Sequence, residues 1–403
     1  MRSHRIATVV APGLALLGAA SASLIHITSY AGTITTLNLT LPYSTEPATL
    51  TNLSATTACG EKPSWLTLVD DVLYCVDEAW GKDNGTLASF KVAPEGTLTL
   101  LNKVDTIGGP VSTVVYGDGG KGLAVADYGG AGLNVYSIAN PSSLAPVQAD
   151  VFKLPHKGVN TDRQEAPHPH QAILDPTGAF LVVPDLGSDL VRIFAIDKST
   201  LKYTEVAPLV SAAGSGPRHA VFVKGKAKTF LYVVHELSNT LVGYETTYTA
   251  DNSLGVKSLA FSQFWSSNTH GDNTTTIPDG TAAAEILLSP DSKFLTISSR
   301  FERLLTVPNY DRTNNTLLPS DPLITLAIDA DSGALKHVQT RAAGGINPRQ
   351  FSFNKAGTLA GVGLQADGRA VIIRRDAKTG ILGDIIANVA IEGEVNCVIF
   401  DEY

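Results

Sequence analysis

The sequence predicts an all-β fold, a seven-bladed β-propeller built from four-stranded antiparallel blades, on three observations. A strand–turn–strand phrase recurs at intervals of several tens of residues. The 36 glycines and 21 prolines indicate many turns, and aromatic and β-branched residues lie between them. The two ends of the chain resemble complementary parts of one further copy of the phrase. Because each repeat extends one body, the 403 residues are predicted to form a single repeat domain.

The recurring phrase has the same physical interpretation in every copy. A short apolar strand ends in a polar turn such as Asp175-Pro-Thr-Gly178, and a second apolar strand, a tight loop and an alternating third strand follow. A more variable fourth strand, for example Leu98 to Lys103, precedes the next copy. The clear copies are 173–185 with 190–197, 286–298 with 304–307, and 351–363 with 370–373, and weaker copies start at Leu66, Val114 and Val221.

The seventh copy is predicted to be split between the chain ends. Residues 24–39 resemble the second and third strands of a blade that lacks its first strand, and residues 394–400 resemble that missing strand. Joining them closes the ring and leaves no long open sheet edge. Two packed β-domains are the alternative organisation.

Composition and charge limit the kinds of partner that this protein is expected to bind. The chain is 44% hydrophobic and 17% charged, which provides for a large core and argues against global disorder. The formal net charge is −8, and no cluster of five or more Lys and Arg residues occurs. An acidic surface without a basic stripe repels phosphate backbones, so no nucleic-acid partner is expected. A ring buries its own edges, so a monomer is expected.

The N-terminus, residues 1–22, is predicted to be an export signal ahead of a single domain at 23–403. Arg2 and Arg5 supply the charged head, residues 6–20 the apolar stretch, and Ala20-Ser-Ala22 the small residues for cleavage. The stretch is short for a membrane span, and no second one follows. A buried strand or an uncleaved anchor is the alternative. We therefore expect a secreted protein.

Two further sequence features agree with export. Five Asn-X-Ser/Thr sequons are candidate glycosylation sites, at Asn38, Asn52, Asn84, Asn273 and Asn314. An oxidising compartment favours a disulfide, for which the close pair Cys59 and Cys75 is the candidate. Cys397 lies in an apolar run and is predicted to be a buried core residue. The cysteines do not have metal-site spacing, and no metal or other cofactor is expected.

Four phrases carry a resemblance to a known family: Gly214–His219, Val234–Asn239, Ser289–Lys293 and Asn347–Gln350. They resemble the seven-bladed β-propeller lactonases, which include propeller-type 6-phosphogluconolactonase and the fungal carboxy-cis,cis-muconate lactonizing enzyme. The resemblance covers the chain from about residue 60 onward. Its specific part is Gly-x-Gly-Pro-Arg-His followed one strand later by His-Glu-Leu, whereas Ser-Pro-Asp-x-Lys occurs in many propellers. Together with the export features, it implies a secreted member of fungal type.

Four residues are the candidate catalytic set. Arg218 stands at the entrance to an inner strand, where its planar fork suits a carboxylate, although a structural salt bridge is the alternative. Glu236 ends an apolar strand, where a carboxylate requires a partner. The family resemblance implies a histidine at the blade start, best matched by His170, a catalytic glutamate at Glu236, and a basic residue at Arg300.

The neighbouring positions have competing interpretations. His168 and His170 are either channel residues, surface histidines or a His-Pro-His metal clip, and we take His168 as a candidate substrate-binding residue. Arg349, in Asn-Pro-Arg, occupies the equivalent of Arg218 and is either a further substrate-binding residue or a bridge between blades.

The expected chemistry follows from this set. Arg218 and Arg300 would hold a small carboxylate or lactone and stabilise developing negative charge, while Glu236 and His170 share proton transfer. Either lactone formation from a muconate-like alkene or lactone hydrolysis fits. Phosphogluconolactone itself is disfavoured because that substrate is cytosolic.

No Gly-x-Ser-x-Gly elbow or phosphate loop occurs. A non-catalytic secreted glycoprotein, such as an adhesin, antigen or ligand-binding platform, is the alternative function.

Overall fold

The computed structural model describes residues 21–41, 48–250, 257–271 and 275–402. Within these ranges the chain forms seven four-stranded antiparallel sheets and one separate two-stranded sheet. The predicted all-β, seven-bladed propeller is therefore confirmed. Residues 1–20 of the predicted export signal and the sequon at Asn273 lie outside the described residues, whereas Ser21 and Ala22 begin the first strand.

Blades are numbered along the chain, and the strands of each blade are given in chain order. Blade 1 contains β1 (Ser21–Ser29), β2 (Thr33–Leu41), β3 (Thr49–Thr56) and the last strand, β30 (Val395–Asp401). Blade 2 contains β4 (Pro63–Val69), β5 (Val72–Asp77), β6 (Thr86–Val92) and β7 (Leu98–Asp105). Blade 3 contains β8 (Pro110–Tyr116), β9 (Gly122–Asp127), β10 (Gly132–Ser137) and β11 (Ala145–Val151), with a short 3₁₀ turn at Asp118–Gly120.

The remaining blades follow the same plan. Blade 4 contains β12 (Ile173–Leu174), β13 (Phe180–Asp185), β14 (Leu190–Ile196) and β15 (Tyr203–Val210). Blade 5 contains β16 (Pro217–Lys224), β17 (Thr229–His235), β18 (Thr240–Ala250) and β19 (Lys257–Asn268). Blade 6 contains β20 (Ala282–Leu288), β21 (Phe294–Arg300), β24 (Pro322–Ile328) and β25 (Leu335–Ala342), and blade 7 contains β26 (Pro348–Phe353), β27 (Leu359–Leu364), β28 (Arg369–Arg375) and β29 (Leu382–Ala390).

Blade 1 closes the ring with strands from both ends of the chain. β30 pairs antiparallel with β1, which places Ile27 opposite Val398, and β1 continues into β2 and β3. The predicted split blade is therefore confirmed. Apolar clusters fill the spaces between neighbouring blades, as when Ile25 and Ile27 of blade 1 pack with Ile372 of blade 7. These contacts between blades supply the core of the ring.

One predicted strand is wrong. Residues 304–307 were expected to be the third strand of blade 6, but Leu305–Pro308 (β22) pairs only with Leu317–Ser320 (β23) in a separate hairpin. The third strand of the blade is instead β24, which pairs with β21. The physical reason is burial: Leu323, Ile324 and Leu326 are fully buried, whereas Leu304 is 61% exposed.

The innermost strands share a bulge that directs side chains into the central channel. β4, β8, β16 and β26 all begin with a proline, and the pairing register of each shifts directly after it. A bulged residue leaves the ladder, and its side chain is re-aimed. In blade 4 an isolated Pro169–Asp185 bridge creates the equivalent position. The residues at these positions are Ser64, Val111, His170, Arg218 and Arg349, and all of them line the channel.

The cysteines lie together beside the ring closure. Cys59 and Cys75 form a disulfide that ties the segment between blades 1 and 2 to β5. Cys397 is fully buried in the same apolar cluster, as expected for a core residue. Its thiol has a pKa raised to about 12 by burial, so it stays protonated and inert at neutral pH.

Four of the candidate glycosylation sites lie within the described residues. Asn52, Asn84 and Asn314 are exposed, while Asn38 is half-buried on β2 and donates a hydrogen bond from its side chain to Thr40. The described part of the chain contains no helix long and apolar enough to span a membrane. Glycosylation and export remain predictions.

Candidate functional site

A pocket of about 250 Å³ opens at one mouth of the channel. It brings together His170, Arg218, Glu236 and Arg300, the four residues proposed from sequence as one site, and it also includes Arg349. The complete lining is Glu78, Trp80, Val111, Tyr128, Arg163, His170, Arg218, Glu236, Arg300 and Arg349. A void of about 10 Å³ continues deeper into the channel beside His170, Arg218 and Arg349.

The blade repeat explains why these residues meet. Bulges at the start of the innermost strands supply His170, Arg218 and Arg349. The ends of the second strands supply a second ring of side chains on the same side, because the two strands are antiparallel and the start of one lies beside the end of the other. This second ring consists of Glu78 after β5, Tyr128 after β9, Glu236 after β17 and Arg300 at the end of β21.

Glu236 is surrounded by three arginines. Its Oε2 lies 2.9 Å from Arg218 Nε and 3.0 Å from Arg300 Nη2, and its Oε1 accepts a hydrogen bond of 2.7 Å from Arg163 Nη2. Burial opposes ionisation of this carboxyl, but Arg300, Arg218 and Arg163 outweigh it and hold the pKa of Glu236 at about 2. Glu236 is therefore a carboxylate at any working pH, and it is a weak base.

Arg218 retains unused donors. It is 2% exposed, and its Nε and Nη1 have no hydrogen-bond partner among the described residues, although Nε forms the 2.9 Å ion pair with Glu236. Burial and the neighbouring Arg300 lower the pKa of Arg218 to about 9, so the guanidinium is charged at neutral pH. Buried donors without partners are rare in native structures, and in a pocket they mark a place for a ligand.

Two backbone carbonyl groups fix the position of the Arg300 side chain. Its Nε and Nη2 donate hydrogen bonds of 3.2 Å to the carbonyl oxygens of Ala282 and Ala283 on the adjacent strand β20. Burial lowers the pKa of Arg300, and Glu236 opposes this shift. The backbone contacts and the ion pair with Glu236 fix the guanidinium at the pocket wall.

Arg349 combines the two interpretations that the sequence left open. Its Nη2 donates a 3.1 Å hydrogen bond to Glu78 Oε1, which joins blade 7 to blade 2, and it also lines the pocket. Glu78 accepts a second hydrogen bond, of 2.6 Å, from the Tyr30 hydroxyl. Arg349 is therefore both a bridge between blades and a wall of the site.

His170 is a neutral imidazole in the pocket. Burial, together with Arg218 and His219, holds the pKa of His170 well below its ordinary value. Its Nδ1 lies 3.2 Å from His219 Nε2, and its backbone N–H donates to the Pro184 carbonyl. Nε2 has no hydrogen-bond partner among the described residues. The ring is therefore unprotonated at neutral pH, and its Nε2 has a lone pair that can accept a proton.

His168 does not line the pocket. Its ring is stacked on Tyr128 with centroids 4.2 Å apart, Nδ1 lies 2.9 Å from the Tyr128 carbonyl oxygen, and Nε2 lies 3.0 Å from Glu165 Oε1. All of its polar atoms are thus engaged behind the pocket wall. His168 therefore packs against Tyr128, which lines the pocket, and is not itself among the lining residues.

Five lining residues were missed at the sequence level: Glu78, Trp80, Val111, Tyr128 and Arg163. Aligning the ends of the second strands would have found Glu78 and Tyr128, since both directly follow an aspartate that ends such a strand. Trp80 follows two residues later in the same turn. Arg163 lies in the irregular segment between β11 and β12, which has no counterpart in other blades, so no repeat signal marks it.

A larger cavity of about 670 Å³ lies on the other side of that segment. Of the charged groups that line it, Arg192 is bound by Asp185 and Glu205, and Asp189 accepts hydrogen bonds from the backbone of Gly214 and Gly216. Lys153 and Lys157 are exposed at its surface. It contains no arrangement of acid, base and anion-binding groups comparable to that at the channel mouth, so we place the candidate chemistry at the mouth.

No group of three or more His, Cys, Asp or Glu side chains in the described ranges is arranged to hold a metal ion. The pocket is instead rich in positive charge. Four arginines and two glutamates line it, which gives a net charge of two positive with His170 neutral. This contrasts with the −8 of the whole chain and suits an anionic ligand.

Comparisons with known proteins agree with this architecture. The family model described as "Lactonase, 7-bladed beta-propeller" matches residues 25–400. A protein of Arthroderma benhamiae named "Probable 6-phosphogluconolactonase" is 30% identical over 89% of this chain and 83% of its own length. The 6-phosphogluconolactonase of Bacillus subtilis is 26% identical over 82% of this chain and 84% of its own.

Solved structures show the same fold. A protein from Lactobacillus plantarum aligns with a TM-score of 0.73 and 26% identity over 95% of this chain and all of its own length. The periplasmic gluconolactonase of Pseudomonas aeruginosa aligns with a TM-score of 0.74 and 23% identity over 94% of this chain and 99% of its own length, which supports the fold alone. The chain thus belongs to the family of seven-bladed β-propeller lactonases.

Proposed function

We propose that this protein is a lactone hydrolase whose substrate is a small lactone carrying an anionic group. The observation that carries the proposal is the pairing of Arg218, with its unused buried donors, and His170, with its free ring nitrogen, in one positively charged pocket. Relatives named 6-phosphogluconolactonases support hydrolysis as the reaction. Nothing comparable favours lactone formation from a muconate.

The hydrolysis would proceed by attack of water on the lactone carbonyl carbon. His170 Nε2 takes a proton from the water as the new C–O bond forms, and the Arg218 guanidinium stabilises the negative oxygen of the tetrahedral intermediate. The ring C–O bond then breaks, and the proton held by His170 passes to the leaving ring oxygen. The product is an open-chain hydroxy acid, so atoms and charge balance.

Glu236 would organise the arginines instead of transferring a proton. Its pKa of about 2 makes Glu236 a weak base, and both of its oxygens face guanidinium groups. By drawing Arg163, Arg218 and Arg300 around one carboxylate, it holds their planes at the pocket wall. The remaining positive charge of this cluster is available for the anionic group of the substrate.

Trp80 indicates a ring-shaped substrate. Its indole lines the pocket yet is 56% exposed, and the indole N–H donates to Glu78, which fixes the ring at the rim. A flat aromatic surface beside an arginine-lined pocket suits the apolar face of a sugar lactone or another cyclic lactone. The anionic group is a carboxylate or a phosphate, and both are recognised by guanidinium groups.

The proposal is tested by supplying the purified protein with a matched set of lactones and following acid release. The set contains gluconolactone, 6-phosphogluconolactone, a uronic acid lactone and a muconolactone, with a carboxymuconate added to detect cyclisation. We expect hydrolysis of one or more lactones, with the anionic members preferred over gluconolactone. No turnover of any compound would favour the ligand-binding alternative, and cyclisation without hydrolysis would establish the muconate reaction instead.

Secretion and glycosylation are separate parts of the proposal. The N-terminal pattern of residues 1–22 and the exposed sequons at Asn52, Asn84 and Asn314 support them. Recovery of a protein from the culture medium that lacks residues 1–22 and shifts in mass after enzymatic deglycosylation is the expected result. An unprocessed, cell-associated chain of unmodified mass would contradict it.

A further inference from the structure

A line of three buried polar side chains leads away from the pocket. His170 Nδ1 lies 3.2 Å from His219 Nε2, and His219 Nδ1 lies 2.7 Å from Glu285 Oε1. His219 is 2% exposed and Glu285 is fully buried. The three residues belong to the inner edges of blades 4, 5 and 6, so the line runs around the channel wall just beneath the pocket.

The proton positions along this line are set by the carboxylate. An ionised carboxylate only accepts hydrogen bonds, and Glu285 Oε1 also accepts the Ile286 backbone N–H at 3.0 Å. The proton between His219 Nδ1 and Glu285 Oε1 must therefore be on His219 Nδ1. Burial lowers the pKa of His219, with Glu285 opposing the shift, so the ring is neutral and its Nε2 is an acceptor. His170 Nδ1 must then be the donor to His219.

We propose that His219 and Glu285 are positioning residues that hold His170 as the Nδ1–H tautomer and thereby direct the lone pair of its Nε2 into the pocket. The catalytic consequence rests on the proposed hydrolase function, since it makes His170 Nε2 the atom that removes the proton from water. The tautomer itself follows from the hydrogen bonds together with the neutral state of His219, whatever the reaction. This arrangement uses the principle by which a buried carboxylate orients a catalytic histidine, extended here through a second imidazole.

Packing around the line supports a positioning role. The Trp65 ring lies edge-on to His219 with centroids 5.9 Å apart, and the Tyr128 ring lies edge-on to His170 at 5.4 Å, so an aromatic ring packs against each imidazole. Glu285 Oε2 has no hydrogen-bond partner among the described residues. A buried carboxylate with one oxygen unpaired destabilises the fold, so its presence is better explained by function than by stability.

The direct test is a long-range ¹H–¹⁵N correlation spectrum of the imidazole rings in ¹⁵N-histidine-labelled protein at neutral pH. His170 and His219 are assigned by the signals that vanish in His170→Asn and His219→Asn. We expect His170 to have a protonated Nδ1 and an unprotonated Nε2. A spectrum with the proton on His170 Nε2 would overturn the inference, whether or not the enzyme is active.

Kinetics supply the second readout. In His219→Phe the His170 ring loses its acceptor, and we expect kcat to fall by about 10- to 100-fold with KM changed less than about two-fold. Glu285→Gln, which keeps the shape and an acceptor oxygen, should retain more of kcat than His219→Phe. Equal kcat in wild type and a folded His219→Phe would contradict the positioning role.

A matched control separates positioning from packing. His26 and Asp401 form another fully buried histidine–carboxylate pair, 3.1 Å apart, in the closing blade and outside the pocket. His26→Phe should lower the unfolding temperature without altering kcat or the His170 tautomer. If the wild type hydrolyses no lactone, the proposed function fails, but the tautomer spectrum still decides this inference.

Discussion

At the scale of single residues, the site holds four arginines close together with only two glutamates to balance their charge. One carboxylate, Glu236, is shared by Arg163, Arg218 and Arg300, while Arg349 is paired with Glu78. Like charges this close repel one another in a site with little water, so the fold holds them together through Glu236 and through the backbone acceptors of Arg300. The same excess of positive charge is what an anionic substrate would neutralise.

Replacing Glu236 by Gln removes the charge that holds the cluster. We expect a loss of about 3–5 kcal/mol in the free energy of unfolding, because the buried guanidinium groups of Arg218 and Arg300 are left without a counter-ion. Denaturant titration measures the loss. Glu205→Gln is the matched control, since Glu205 also pairs with an arginine but its side chain is 43% exposed, and it should change stability by less than about 1 kcal/mol.

The difference in the free energy of unfolding between wild type and Glu236→Gln should depend on pH, which provides a test of the ionised state of Glu236. The folded-state pKa of Glu236 is depressed by its arginines from an ordinary value of 4.5 to about 2, so the folded protein binds this proton less readily than the unfolded chain. The stability contributed by the charge is fully present above pH 4.5 and is lost as the pH falls toward 2. The gap between wild type and Glu236→Gln should narrow over that window, and a gap that stays constant would contradict the assignment.

At the scale of elements, the inner-strand bulge and the turn after the second strand are the devices that build the site. In blade 2 that turn is Asp77-Glu-Ala-Trp80, in which Asp77 accepts hydrogen bonds from the backbone of Lys62 and Ala79. Ala79 has a φ of 46°, a left-handed conformation that is costly for a residue with a side chain. This conformation turns Glu78 toward Arg349 and leaves Trp80 at the rim.

Trp80→Ala should therefore act on substrate binding. We expect KM to rise by about ten-fold, the equivalent of one lost aromatic contact, with kcat changed less than about two-fold. Steady-state kinetics on the preferred lactone give both values. Tyr248→Ala serves as the control because Tyr248 is a similarly exposed aromatic residue, 40% accessible, outside the pocket. A fall in kcat with unchanged KM would assign Trp80 to the chemical step instead.

The same elements explain what sequence could predict. Arg218 and Glu236 stood out by their places in the repeat, the start of an inner strand and the end of a second one. The family resemblance implied His170, Arg300 and the catalytic role of Glu236. Arg163 was not found because it reaches Glu236 from a long irregular segment, and contacts across such a segment leave no periodic signal. The hairpin of β22 and β23 was misassigned because a four-residue apolar stretch cannot be distinguished by pattern from a blade strand.

At the scale of the whole molecule, the closed ring makes the site depend on every blade. Blades 2 to 7 each supply at least one lining residue, and the channel mouth keeps its shape only while blade 1 joins the two ends of the chain. The disulfide between Cys59 and Cys75 lies where the chain passes from blade 1 into blade 2. It therefore covalently secures the segment that follows the closing blade.

Loss of this disulfide should weaken the ring without altering the site. Cys59→Ala with Cys75→Ala opens a loop of 16 residues, and we expect a loss of about 3 kcal/mol in the free energy of unfolding with kcat retained below the unfolding transition. Denaturation of wild type with and without a reductant should show the same difference. Equal stability of the double variant and the oxidised wild type would contradict the role given to this disulfide.

The central claim is that Arg218 stabilises the charge that develops when a lactone is hydrolysed beside His170. Its most direct test is the ratio of kcat/KM on the preferred lactone between wild type and Arg218→Ala, with Arg369→Ala, a partly buried arginine of blade 7, as the control. We expect a fall of about 100- to 1,000-fold for Arg218→Ala and less than about two-fold for Arg369→Ala. Unchanged kcat/KM in a folded Arg218→Ala variant would contradict it.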